Sequence, residues 1–287
     1  MRGLLNVDFE SVGYEKEFGF QLVKMEDIFS YQPSERKNAF VPHRISFFAL
    51  LILTEGTMTH QVDFVEYPMT EGDYLFISKG QVHKFDKSQA YKGYGLIFTE
   101  EFMLRHVSLS AYSKISFLYN YHLNPSPFRD FGDQEILIKA IKREFSLNLG
   151  PIKADVMASI LSVFLLKAQS HTVEKLNSVR KDHEQFLQFQ QLVALNYSTT
   201  RTAKQYADWL TITLKELNKI CHTYTGKTAK VFIIDYITLE AKRWLVTTRL
   251  PIKSVAYECG FIEPTNFLKF FKKNTGVTPS KFRVSKV

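Results

Sequence analysis

The sequence predicts two domains: an N-terminal β-sandwich or small barrel followed by helices, and a C-terminal all-α domain with two helix-turn-helix units joined by a long helix. Three observations predict this. The 287 residues exceed one domain at about 150 residues each. Short β-branched and aromatic segments fill the first 130 residues, whereas apolar residues recur with a 3.6 period from about Phe186 onward. The excess positive charge lies in the last third: residues 180–287 hold 18 Lys and Arg against 8 Asp and Glu, a net +10, and the rest holds 19 against 21, a net −2.

Composition removes several classes. A chain that is 45% hydrophobic and 23% charged, with 25 Phe, is neither disordered nor collagen-like. The longest apolar run, residues 47–53, falls far short of the roughly 18 residues that span a bilayer, and no basic segment followed by an apolar one opens the chain. A cytoplasmic protein without a membrane partner is expected. Cys221 and Cys259 lack metal-ligand spacing and suit a reducing compartment.

In the first domain, residues 45–53, 57–65, 73–77 and 94–98 read as strands, punctuated by Gly56, Gly72, Gly80, Gly93 and Gly95. A helix over residues 133–149 opens at the capping residue Asp133, carries Ile136, Leu137, Ala140, Ile141 and Phe145, and stops at Gly150-Pro151. The next, over 152–169, carries Val156, Met157, Ile160, Val163, Phe164 and Leu165, a stripe wider than one neighbour needs. Such a helix either packs wholly within its own subunit or offers a second face to another, and a homodimer is expected. The polar stretch 171–184 reads as a linker between a domain over 1–170 and a domain over 185–287.

In the second domain Thr202 suits an N-cap for a short helix with Ala203, Tyr206, Ala207 and Leu210 on one face. After Thr211-Ile212-Thr213, a second helix buries Leu214, Leu217, Ile220 and Tyr224 and ends at Gly226. A long helix over 230–247 follows, and then the pattern repeats: Pro251 opens a helix that Gly260 ends, and residues 265–274 bury Phe267, Phe270 and Phe271. The outward face of the first recognition helix shows Lys215, Asn218, Lys219 and His222. That of the second shows Asn266, Lys269, Lys272 and Lys273. Asn pairs with adenine, Lys donates to guanine N7 and O6, and further lysines contact phosphates, so two such faces in the basic third point to duplex DNA.

The string IKSVAYECGFIEPTNFLKFFKKNTGVTPSKFRV, residues 252–284, with Gly260, Phe261, Phe267, Phe271, Lys272, Gly276, Pro279 and Arg283, resembles the signature of the AraC/XylS family of transcription regulators. The likeness extends over residues 185–284. It implies that both recognition helices enter successive major grooves about 34 Å apart. It also implies base contacts from Lys215, Asn218 and Lys219 in one helix and from Thr265, Asn266 and Lys269 in the other, with RNA polymerase as a partner; whether the protein activates or represses stays open. Asn266 stands where an aromatic is common, Lys269 where Arg is common, and an arginine often found near Tyr236 is missing; these departures bear on base preference.

Residues 55–86, EGTMTHQVDFVEYPMTEGDYLFISKGQVHKFD, resemble the cupin-like sensor barrel of the same family through Gly56, His60, the Glu71-Gly72-Asp73 turn, Gly80 and His83. The resemblance implies a small-molecule effector, with His43, Arg44, His60, Tyr74, His83 and Phe85 as candidate lining. A cupin metal centre needs several inward His and an acid. Here Val62 follows His60 at the i+2 position and period two puts Asp63 on the opposite face, so no metal, cofactor or catalytic residue is read. The alternatives are a barrel that serves only dimerisation and a metalloenzyme fused to a DNA-binding domain. No nucleophile elbow or phosphate loop is present.

Overall fold

A computed structural model describes residues 6–9, 18–30, 39–86, 91–108, 111, 127–129, 134–147, 149–173 and 180–286. The chain divides between Lys175 and Leu176 into two compact units.

The N-terminal unit is a sandwich of two five-stranded sheets. One has the order β1-β3-β8-β5-β6, from Asn6–Val7, His43–Ile45, Val82–Lys84, Thr57–Val62 and Val65–Thr70. The other has the order β10-β7-β4-β9-β2, from Phe128–Arg129, Asp73–Ile77, Phe48–Glu55, Lys92–Phe98 and Phe20–Lys24. Pairing is antiparallel except between β1 and β3. The second sheet is buried on both faces, which explains the unbroken apolar run that opens β4. Ala49, Leu51 and Leu53 face the other sheet among Met58, Val62, Leu75 and Ile77. Phe48, Leu50 and Ile52 face the opposite way, with Phe20, Tyr74, Phe76, Leu96 and Phe98, under helices α2 (Glu100–His106), α3 (Gln134–Ser146) and α4 (Lys153–Val173). A short helix, α1 (Met25–Ser30), follows β2.

Two strand readings change. Residues 57–65 form a hairpin rather than one strand: Val62 pairs with Val65 across Asp63 and Phe64, whose φ angles are 47° and 71°. Positive φ at both central residues is the two-residue turn whose twist matches the flanking strands. Asp63 holds it by accepting from Gln81 Nε2 at 2.9 Å and from the Val82 N–H at 3.1 Å. The first sequence strand breaks at Ser46-Phe47, dividing β3 from β4. The Asp133 cap lies outside the described residues. Gly150–Ile152 form a single 3₁₀ turn leading into α4.

In α4, Met157, Ala158, Leu161, Phe164 and Leu165 pack into the core under the second sheet. Ile152 just ahead of it, Val163 and Leu166 are exposed, and Val156 is half-buried on the same side. Phe164, at 6.2 Å from the Tyr74 ring, therefore belongs to its own subunit.

The C-terminal unit runs α5 (Arg180–Asn196), α6 (Ala203–Trp209), α7 (Leu214–Thr225), α8 (Ala229–Thr247), α9 (Ile252–Glu258), α10 (Pro264–Thr275) and α11 (Pro279–Lys286). Helices α4 and α5 enter the stretch read as a linker from either side; residues 174–179 lie outside the described residues. Phe186 and Phe189 of α5 close the core against Tyr206, Tyr224 and Phe232. Phe261, Phe267, Phe271 and Phe282 form the core of the second half, and burying each such ring contributes about 2–3 kcal/mol. Cys221 and Cys259 are buried, and desolvation raises both thiols, Cys221 to about 12, so both pack as small apolar groups.

Candidate DNA interface and sensor site

The two turns that aim α7 and α10 have one hydrogen-bond pattern. In the first, the Thr211 N–H donates to Asp208 O and the Ile212 N–H to Ala207 O; in the second, Gly260 donates to Tyr257 O and Phe261 to Ala256 O. This is the closure of a helix by a left-handed residue. Gly260 adopts φ +73° and Thr211, at the matching place, φ +54°. The first turn therefore carries its left-handed residue without glycine, and the glycine at Gly226 caps the following helix instead.

Helix α7 begins with a full capping box, Thr213 accepting from the Glu216 N–H at 3.1 Å and Glu216 accepting from the Thr213 N–H at 2.8 Å; such a cap contributes about 1 kcal/mol. Helix α10 starts at Pro264, whose missing N–H costs nothing in the first turn. Each helix has 12 residues and ends at a left-handed glycine, Gly226 or Gly276. Lys215, Lys219 and His222 are exposed on α7, and Thr265, Asn266, Lys269, Lys272 and Lys273 are exposed on α10. Asn218 differs. It is half-buried and its Oδ1 accepts from the Ala229 N–H at 3.0 Å, capping α8; one lone pair of that oxygen is thereby taken, and a bidentate adenine contact would have to share the oxygen with the cap.

Three arginines hold this scaffold, and only Arg283 stood out in the sequence. Arg283 donates from Nε to Leu245 O at 2.9 Å and from Nη2 to Leu250 O at 2.8 Å, tying α11 to the end of α8. Arg201 donates from Nη2 to Gly260 O at 2.7 Å and to Cys259 O at 3.2 Å, with its guanidinium 3.6 Å from the Phe261 ring centre. The fork suits paired carbonyls as it suits carboxylates. Arg243 lies within α8 against Glu240 at 2.5 Å, both side chains essentially out of solvent.

In the sensor sandwich the structure brings together His43, His60, His83 and Phe85. His60 Nε2 and His83 Nδ1 are 3.0 Å apart, the His43 and His83 rings 4.2 Å, and Phe85 meets His60 edge-on at 4.7 Å. His43 donates from Nδ1 to Val41 O at 2.9 Å. His60 Nδ1 is buried without a hydrogen-bond partner among the described residues. The other two candidates separate from this cluster. Arg44 alternates with buried His43 and Ile45 and leaves the opposite face of β3, and Tyr74 lies on the helix-covered side of the second sheet. Among the described residues, no group of three or more His, Cys, Asp or Glu is placed to hold a metal ion.

Burial drives the imidazoles to their neutral forms: His60 falls to about 3, first by desolvation and then by the charge of His43, and His43 and His83 are lowered mainly by desolvation. The unfolded chain takes up protons below about 6.5 where the folded one does not, so stability present above that pH is lost as pH falls toward 3. Each pH unit costs about 1.4 kcal/mol for His60 alone. Urea unfolding of the sensor unit at pH 7 and pH 5 is expected to differ by at least about 2 kcal/mol, with His60→Gln flattening the slope. An unchanged slope in that variant would reject this origin.

The C-terminal unit is thus a double helix-turn-helix DNA-binding domain, attached to a sandwich with buried polar side chains. Profiles for an AraC-like ligand binding domain and a helix-turn-helix domain match residues 28–122 and 206–285. The HTH-type transcriptional activator RhaS of Pectobacterium atrosepticum is 22% identical over 260 residues, covering 88% of this chain and 90% of that protein. RhaS of Yersinia pestis is 22% identical, covering 86% and 90%. Among solved structures, fatty-acid-bound ToxT from Vibrio cholerae shows 17% identity and a TM-score of 0.44, over 85% of this chain and 89% of that one. The chain belongs to the AraC/XylS family: it is a DNA-binding transcription regulator with an effector-binding N-terminal domain. Among the described residues no helix is long and apolar enough to cross a membrane.

Proposed function

We propose that the protein reads a two-part operator through α7 and α10 and activates transcription as a homodimer. The observation that carries this is the pair of equal-length helices behind turns of identical hydrogen bonding, each with an exposed cationic face. Lys215, Lys219, Thr265, Asn266 and Lys269 read bases, and His222, Lys272 and Lys273 contact phosphates. Operators selected from genomic fragments supply the probe. Lys219→Ala and Lys269→Ala are expected to relax preference at one position by about 1–3 kcal/mol, whereas Lys273→Ala weakens binding to all sequences alike. Equal losses on operator and unrelated DNA for the first two variants would remove the base-reading assignment. The RhaS relatives, named as activators, support activation, and RNA polymerase is the partner this reading adds. In this reading the protein is a regulator rather than an enzyme and works in the cytoplasm.

The effector binds at the histidine cluster, where a hydroxyl or N–H group would satisfy His60 Nδ1. The homodimer forms through α4 and the turn before it. Ile152, Val156, Ser159, Val163 and Leu166 recur at the alternating spacings of four and three that make a two-helix seam, with Ser159 small enough for close approach. Val163→Lys is expected to halve the mass measured by light scattering; an unchanged mass would place the interface elsewhere.

A further inference from the structure

A cavity of about 430 Å³, within the range of small-molecule sites, lies apart from the histidine cluster on the helical side of the sandwich. Phe18 precedes β2, and Thr99, Glu101, Phe102, Arg105 and His106 come from α2 and its cap. Its floor is aromatic: Phe18 and Phe102 meet edge-on at 6.2 Å, and the His106 ring lies 5.3 Å from Phe102. Its polar groups are mainly unspent donors. Among the described residues Arg105 meets only Glu101, through one guanidinium nitrogen at 2.5 Å, while the group carries five N–H donors in a planar fork. His106 donates from Nδ1 to Asp155 at 2.8 Å; with one N–H on the ring, it donates to a ligand through Nε2 only by giving up that contact.

We propose that this cavity binds a compact organic carboxylate with an apolar body, its carboxylate on Arg105 and His106 and its body against Phe18 and Phe102. A carboxylate matches the guanidinium fork bidentately. A cation would find one carboxylate among the lining residues, Glu101, already paired with the permanent positive charge of Arg105. A ligand drawing on His106 competes with Asp155 for the contact that ties α2 to α4. Occupancy thereby alters the anchoring of the helix that carries the outward seam; this link rests on the homodimer reading, and the binding site does not.

Calorimetric titration of the full chain with phenylacetate, and with phenethylamine as the cation of similar body, tests the site. Saturable one-to-one binding of phenylacetate with a millimolar dissociation constant is expected, weakened about tenfold or more by Arg105→Ala. Arg105 is well exposed, so that variant keeps its fold. No binding of phenylacetate, equal affinity in Arg105→Ala, or phenethylamine bound as tightly would overturn the proposal. Loss of phenylacetate binding in His60→Gln with retention in Arg105→Ala would also overturn it, by moving the ligand to the histidine cluster while leaving the effector reading intact.

Discussion

Gly260→Ala is expected to lower the stability of the DNA-binding unit by about 4 kcal/mol or more and to abolish operator binding. A Cβ at this position would lie 1.9 Å from Ser198 O, 2.5 Å from its carbonyl carbon and 2.7 Å from its Cα. All three are backbone atoms, which cannot rotate away, and φ +73° adds left-handed strain. Gly276 supplies the control. Its φ is also positive, at +77°, but an added Cβ meets nothing within 4 Å, so Gly276→Ala costs only the conformational strain, about 1 kcal/mol. The two tryptophans, Trp209 and Trp244, both lie in this unit, so fluorescence-monitored guanidinium unfolding of the full chain follows it alone. Equal losses in the two variants would show that the Ser198 approach is not limiting.

Glu240→Ala is expected to cost about 3–5 kcal/mol in the same measurement, because it removes the carboxylate that pairs with the buried Arg243 guanidinium. Neither side chain is more than 2% exposed. Replacing both, as Glu240→Leu with Arg243→Met, is expected to recover most of that loss, since two apolar groups of similar volume bring no desolvation penalty. A loss below about 1 kcal/mol for Glu240→Ala alone would mean that other groups neutralise Arg243.

The C-terminal architecture was legible because its helices carry strong period and the two recognition helices stop at glycines, and because the exposed lysines of α7 and α10 lie opposite buried Leu217, Ile220, Phe267 and Phe271; Leu214, read as buried, is 40% exposed, and Phe270 is half-buried. What stayed hidden depends on tertiary geometry. Asp63-Phe64 is a poor turn sequence, stabilised by Gln81 and Val82 some twenty residues away, so the hairpin had no local signal. Thr211 takes a left-handed conformation because its turn is closed by the same two bonds as the glycine copy. The inward turn of Asn218 depends on the open N–H at the start of α8, and Tyr74 reads like any barrel aromatic until helices cover that side of the sheet. His43 could be paired with His83 only once β3 lay beside β8. Arg201 stood in no recognisable pattern, since its partners are backbone carbonyls nearly sixty residues on.

That arginine has a consequence for the DNA. With Arg201 gripping the second turn and Ser198 packed beneath Gly260, the segment that introduces the first helix-turn-helix unit is fastened to the pivot of the second. The reading heads then behave as one gauge of fixed span. One extra base pair between their targets displaces the far one by about 3.4 Å and turns it by roughly 34° around the duplex axis. A gauge that cannot flex has to surrender one of its two contacts. For the two-part operator proposed above, half-site spacing is then expected to matter alongside base identity, through a residue that lies on neither recognition helix.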